Sequence, residues 1–233
     1  DAVRLVTLAP EMPAGMAAAK WLSQRGVIVS AGHSAATSDQ ALEAIEAGVS
    51  YVTHLFNAMP ALHHRQPGLT GLALTSPNLR CGLIADGIHV HPLMVRLAWQ
   101  CRGAKGITLV TDAIAAMGMP DGTYPIGGQT VVVNNQNARL NDGTLAGSIL
   151  CMDQAVRNMV AFSGCSPAEA LRAASTTPLE VLGLGDRMGH LFPGFPADLL
   201  ILNEVLQVEA TLVKGQVVYA TPQAQERLGI YRA

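Results

Sequence analysis

Aromatic residues make up only 4% of this 233-residue chain and charged residues only 14%, against about 25% charged in an average globular protein. With Lys+Arg 15, Asp+Glu 17 and a formal net charge of −2, there is no basic surplus to build a face for nucleic acid, and no such partner is expected. Cysteine is equally scarce. Cys81, Cys101, Cys151 and Cys165 are scattered through apolar segments without a C-x-x-C pair. That excludes a disulfide framework in a chain this long and leads us to expect reduced thiols in a cytoplasmic protein. No apolar run approaches the ~20 residues of a membrane span, so no membrane partner is expected. The first residues lack the basic-then-apolar pattern of a signal segment. The chain opens on Asp1 rather than methionine, and we expect the natural protein to begin upstream. What the chain has in quantity is hydrophobic residues, at 49%, with Gly 23 and Pro 13. This profile excludes a disordered tail, a collagen-like fibre and a coiled coil, and points to a tightly packed α/β core of small and branched residues.

Short β-branched runs at 3–8, 27–30, 51–55, 80–85 and 107–110 alternate with helical patterns at 13–25, 38–47 and 92–101. Strands that are apolar throughout, interleaved with helices, read as a parallel sheet covered on its faces. The first three runs begin at even spacing (Val3, Val27, Tyr51) without a shared motif, which indicates βα units rather than a solenoid. The second half changes character. Residues 122–145 read as β-hairpin material with Asn-rich turns. Helices are expected at 148–162 and at 167–174, the latter capped by Ser166 with Pro167 in its first turn. Strands are expected at 197–202 and across 208–219, with Lys214-Gly215 as a turn.

The residues that break the apolar pattern carry the chemistry. The second run ends near His33, the third at His54 with Asn57 beyond it, the fourth at Asp86 and His89, and the fifth at Asp112. In a parallel α/β sheet or barrel the C-terminal strand edge carries the site, and four such ends in register point to function. Strands lie ~4.8 Å apart, so His33 and His54 on neighbouring strands can reach one borderline metal such as zinc. Asp112 is three strands from His33, ~14 Å on a flat sheet, but inward-facing residues of a closed eight-stranded barrel converge. The chemistry therefore asks for a barrel of eight strands where five are visible; either three lie upstream or the strand count is wrong. Arg65, in a Gly/Pro-bounded loop, reads equally as a solvated side chain and as an anion binder. His63, His64 and His190 read as solvated, His91 as a structural residue at a helix start, and Met152 and Met159 as core. The Gly143–Ser148 segment is a candidate pocket lining ahead of a helix N-terminus.

Several stretches together carry a resemblance: Val6-Thr-Leu-Ala-Pro-Glu11, Ser30-Ala-Gly-His-Ser34, Thr53-His-Leu-Phe-Asn-Ala-Met-Pro60, Ala85-Asp-Gly-Ile-His89, Val110-Thr-Asp-Ala113, Gly143-Thr-Leu-Ala-Gly-Ser148 and Gly194-Phe-Pro-Ala-Asp198. In these the chain resembles the N-acetylglucosamine-6-phosphate deacetylases of the amidohydrolase superfamily. The resemblance implies an α/β, (β/α)8 metal-dependent hydrolase barrel, of which about five βα units lie here. It divides the chain into a partial barrel over 1–190, with the hairpin insertion at about 122–145, and a segment of a small β-sandwich over 191–233. It implies His33 and His54 as ligands of a divalent metal (zinc, or iron, cobalt or manganese) and Asp112 as the catalytic acid/base. Asn57, Ala58, Arg65 and His89 would contact the phosphosugar substrate, with Leu145, Ala146 and Gly147 closing the pocket. The products would be glucosamine 6-phosphate and acetate, and the assembly a homodimer. The family's further metal-ligating Glu, in an upstream Leu-Glu-Gly-Pro stretch, has no equivalent here. For this chain alone we therefore expect weak metal retention, little activity and open sheet edges at 3–8 and 107–110. Two other readings stay open: a cyclic amidohydrolase of the dihydroorotase kind, discriminated by the role of Arg65, and a catalytically dead truncated module.

Overall fold

The computed structural model describes residues 3–134 and 137–230. Its β-branched runs form β1 (Leu5–Leu8), β2 (Ile28–Ala31), β3 (Val49–Val52), β4 (Arg80–Leu83) and β5 (Ile107–Leu109), a parallel sheet in chain order. These are the five strands expected, with β1 and β5 at the edges. The strands have two different faces. Val29, Ala31, Val52, Cys81, Leu83, Ile107 and Leu109 are buried in the core. The opposite face carries hydroxyls that bond from strand to strand. Thr53 Oγ1 lies 2.9 Å from Thr7 Oγ1 and 2.5 Å from Ser30 Oγ, and the Tyr51 hydroxyl meets Thr108 Oγ1. Burial drives the Tyr51 phenol up to about 12 and the Cys81 thiol up to about 12, so both stay protonated.

The crossovers are α1 (Gly15–Ser23), α2 (Ser38–Glu46), α3 (Gly68–Thr75) and α4 (Pro92–Gly106), the last broken at Gly103, whose φ is 60. α2 opens with a capping box between Thr37 and Gln40. α1 is shorter than its sequence pattern because the chain turns tightly before it. A Cβ on Gly15 would sit 2.6 Å from the carbonyl oxygens of Ala9 and Pro10. α3 was not visible in the sequence. Leu69, Thr70, Ala73 and Leu74 are all buried, and a helix buried on every side has no amphipathic stripe to read. His91 caps α4, its Nδ1 accepting from the Leu93 amide, in the structural role its position suggested.

Beyond β5 the hairpin material is a three-stranded antiparallel sheet of β6 (Gly122–Ile126), β7 (Gln129–Asn134) and β8 (Asn137–Leu140). It has a small core of its own: Ala116, Val131, Val133 and Ala138. α5 (Met152–Ser163), α6 (Pro167–Ala174) and α7 (Thr176–Val181) follow; α5 and α6 bring Ala155, Met159, Ala170 and Ala173 into the main core. α5 begins at Met152 rather than at 148, because Ser148 is tied to the loop after β5. A second antiparallel sheet, β9 (Leu199–Leu202), β10 (Val208–Val213) and β11 (Gln216–Ala220), ends in α8 (Pro222–Leu228). Its hairpin turns at Lys214-Gly215 as read. All four cysteines are free. No helix among the described residues is long and apolar enough to cross a membrane.

Candidate active site

Because β2 to β5 are parallel, the loops after them gather at one edge, and His33, His54, Asp86 and Asp112 each sit in one of these loops. The two histidines meet there. Their Nε2 atoms are 3.0 Å apart, with ring centroids at 4.8 Å and planes at 66°. His33, His54 and Asp112 share a rare backbone state, with φ of 50, 31 and 50. Left-handed backbone costs a non-glycine residue on the order of 1–3 kcal/mol and persists where the surroundings over-determine it, as at functional sites. Neighbouring strands supply that constraint for His54. The Thr53 amide donates to Ala31 O at 3.0 Å and the Leu55 amide to Gly82 O at 2.8 Å, while within the loop itself the Asn57 amide donates to His54 O at 2.9 Å.

His33 is exposed, whereas His54 is only 7% exposed and its Nδ1 is buried without a partner. Burial pushes the His54 imidazole below its ordinary value; the neighbouring His33 adds to this, while the charge of Asp112 opposes it. A neutral imidazole is the form that offers a lone pair to a metal. Two nitrogens ~2.0–2.1 Å from one tetrahedral zinc stand about 3.3 Å apart, close to the 3.0 Å found. The pair therefore fits one divalent ion. Among the described residues no third His, Cys, Asp or Glu completes the set.

Asp112 is exposed, and its loop is pinned by the segment that holds Leu145, Ala146 and Gly147. The Ser148 amide donates to Asp112 O at 2.8 Å, the Ile114 amide to Ser148 O at 2.9 Å, and Ser148 Oγ to Thr111 O. Leu145 bridges Arg139, and the Ala146 amide donates to Ala138 O at 3.0 Å. The Asn57 amide group turns onto its own loop, donating to His54 O at 3.2 Å and Leu55 O at 3.3 Å. Ala58 is exposed, with φ 50.

His89 stands beside Asp86, another polar residue of the loop after β4. Its Nδ1 lies 2.6 Å from Asp86 Oδ2, while Oδ1 accepts from the Ile88 and His89 amides at 2.8 Å each. The signal was present as Asp and His at i, i+3, but a spacing alone does not distinguish a pair from two neighbours. Burial works against the Asp86 charge, yet these bonds outweigh it and hold its carboxyl below the usual range. His89 also lines a cavity of about 240 Å³ with Phe56, Leu62 and Met94. Asp86 borders a larger one, about 580 Å³, with Cys151, Asp153, Arg157 and Asn158. Arg65 lies on an exposed loop, its Nη1 2.9 Å from His64 Nε2; the structure links it to His64 and not to the histidine pair.

The amidohydrolase family model matches residues 2–218. An N-acetylglucosamine-6-phosphate deacetylase of Lysinibacillus sphaericus is 46% identical over 215 residues, 92% of this chain and 55% of that protein. An N-acetylgalactosamine-6-phosphate deacetylase of Escherichia coli is 43% identical over 92% of this chain and 57% of that protein. The chain thus spans about half the length of the curated relatives it matches. The crystal structure of the Thermotoga maritima N-acetylglucosamine-6-phosphate deacetylase superposes with a TM-score of 0.89 at 40% identity, over 94% of this chain and 60% of that one. With the match running through the five-stranded sheet and every loop that carries a candidate site residue, the chain belongs to the amidohydrolase family.

Proposed function

We propose that this chain serves the hydrolysis of the acetamide of N-acetylglucosamine 6-phosphate to glucosamine 6-phosphate and acetate. The observation that carries the reading is the convergence of His33 Nε2 and His54 Nε2 at 3.0 Å, on the strand edge that also presents Asp112. His33 and His54 hold a divalent ion, zinc, iron, cobalt or manganese. When bound, such an ion supplies Lewis acidity that lowers the pKa of a water towards ~7 and polarises the amide carbonyl. Asp112 takes a proton from the attacking water and returns it to the leaving amine nitrogen as the C–N bond breaks. His89, with Nδ1 committed to Asp86, turns its other nitrogen to the sugar phosphate. Arg65 exchanges His64 for a phosphate oxygen. Asn57 and Ala58 border the sugar, and Leu145, Ala146 and Gly147 close over it, so that phosphate binding energy positions the acetamide.

Support for the phosphosugar comes from the deacetylase relatives, and the Escherichia coli protein makes the galacto epimer the second substrate to test. With two protein ligands where catalytic zinc sites usually have three, the isolated chain is expected to hold metal weakly and turn over slowly. The assay therefore reads ratios. Acetate release is measured from both phosphosugars, from unphosphorylated N-acetylglucosamine and from a cyclic imide. Asp112→Asn is expected to lower turnover ~10²–10⁴-fold with KM little changed. Near-normal turnover in that variant overturns the role of Asp112. Equal turnover of the unphosphorylated sugar or of the imide overturns the phosphosugar.

A further inference from the structure

His33 is exposed, strained and placed to meet His54, so something must hold its backbone. On its N-terminal side the Gly32 amide donates to Leu8 O at 3.1 Å. Gly32 has no room for a side chain: a Cβ there would fall 2.7 Å from Thr7 Cγ2 and 2.7 Å from Thr53 Cβ. On the C-terminal side both contacts go to one carboxylate. Ser34, only 1% exposed, donates its hydroxyl to Glu11 Oε2 at 2.7 Å, and the Ala35 amide donates to Glu11 Oε1 at 2.6 Å. Ser34 Oγ also accepts from the Ala36 amide at 3.2 Å, which fixes the hydroxyl in place. Glu11 belongs to the loop after β1, whereas His33 belongs to the loop after β2. One side chain thus ties two neighbouring loops together directly beside the strained histidine.

We propose that Glu11 is the positioning residue of the metal pair: its bidentate grip on Ser34 and Ala35 holds the left-handed turn that aims the His33 ring at His54. The proposal rests on the reading of His33 and His54 as metal ligands. Glu11 stands outside the pair it supports: among the described residues no third His, Cys, Asp or Glu gathers with His33 and His54 as a metal-holding group. A carboxylate suits the task because it accepts at both oxygens and makes bonds about twice as strong as neutral ones. A glutamine keeps the length but offers a single acceptor oxygen. Partners that orient metal-binding histidines typically change metal affinity about 10–100-fold when lost.

The test is Zn²⁺ uptake by the 233-residue chain, measured by competition with a chromogenic chelator, for wild type, Glu11→Ala, Glu11→Gln, Ser34→Ala and His33→Ala. Amide hydrogen exchange at Ala35 without metal, and the urea midpoint, accompany it. Glu11→Ala is expected to bind Zn²⁺ about 10–100-fold more weakly with its urea midpoint near wild type, and to exchange faster at Ala35. Glu11→Gln and Ser34→Ala fall between, and they carry the test if Glu11→Ala does not fold. Uptake lost in His33→Ala but unchanged in every Glu11 and Ser34 variant overturns the proposal alone. Equal uptake by wild type and His33→Ala overturns the metal-pair reading and the proposal with it.

Discussion

Gly147, in the segment that follows β8, packs directly on the loop of Asp112, and an alanine there measures that contact. Its φ is +79, and an added Cβ would lie 2.8 Å from Ile114 Cγ2 and 2.9 Å from Asp112 O. The carbonyl cannot easily retreat, because it accepts from the Ser148 amide at 2.8 Å. Gly118 provides the control, with φ +78 and nothing within 4 Å of its would-be Cβ. At Gly118 an alanine pays only the left-handed backbone cost, about 1–2 kcal/mol, less the ~0.4–1 kcal/mol gained by stiffening the unfolded chain. The net is about 1 kcal/mol. At Gly147 the same net applies plus the cost of forced overpacking, ~1–3 kcal/mol, for a total of about 2–4 kcal/mol. For a chain of this size 1 kcal/mol moves Tm by about 2–4 °C. Thermal unfolding followed by circular dichroism should thus show Gly118→Ala about 2–4 °C below wild type and Gly147→Ala about 5–15 °C below. Equal shifts in the two variants would refute the claim that Gly147 is needed for close packing on Asp112.

Two further outcomes follow from burial and from charge. Leu83 on β4 is wholly buried, so Leu83→Ala should cost about 2–5 kcal/mol by urea denaturation, whereas Leu200→Ala, 57% exposed, should stay within about 0.5 kcal/mol; similar costs would contradict the core assignment. The Asp86 carboxyl is held below its ordinary value, ~3.9, because its bonds to His89 and the Ile88 amide overcome the opposing effect of burial. A depressed carboxyl contributes stability that is fully present above its unfolded value and is lost as pH falls through the folded one. Asp86→Asn should therefore flatten the decline of the urea midpoint below about pH 4, and an unchanged acid limb would rule this linkage out.

Much of the fold can be read locally. The five β-branched runs became the five parallel strands, and Thr37 with Gln40, and Ser166 with Glu169, became capping boxes at the starts of α2 and α6. These features depend on residues a few positions apart, where periodicity and capping chemistry act directly. The polar residues at the strand ends were legible for the same reason: once the strands are parallel, their ends must share an edge. The remainder depended on what the sheet brings together. α3 left no pattern because neighbours bury it all round. The hairpin proved to be three strands, and the start of α5 moved because Ser148 pairs with Ala113. The 3.0 Å approach of the histidines, the seat of Gly147 on Asp112 O and the grip of Glu11 on Ser34 each join residues on different loops. A residue's type and local spacing do not encode which distant loop it will touch. That is set by strand order and register, and by side chains that close on one another only after the sheet has formed.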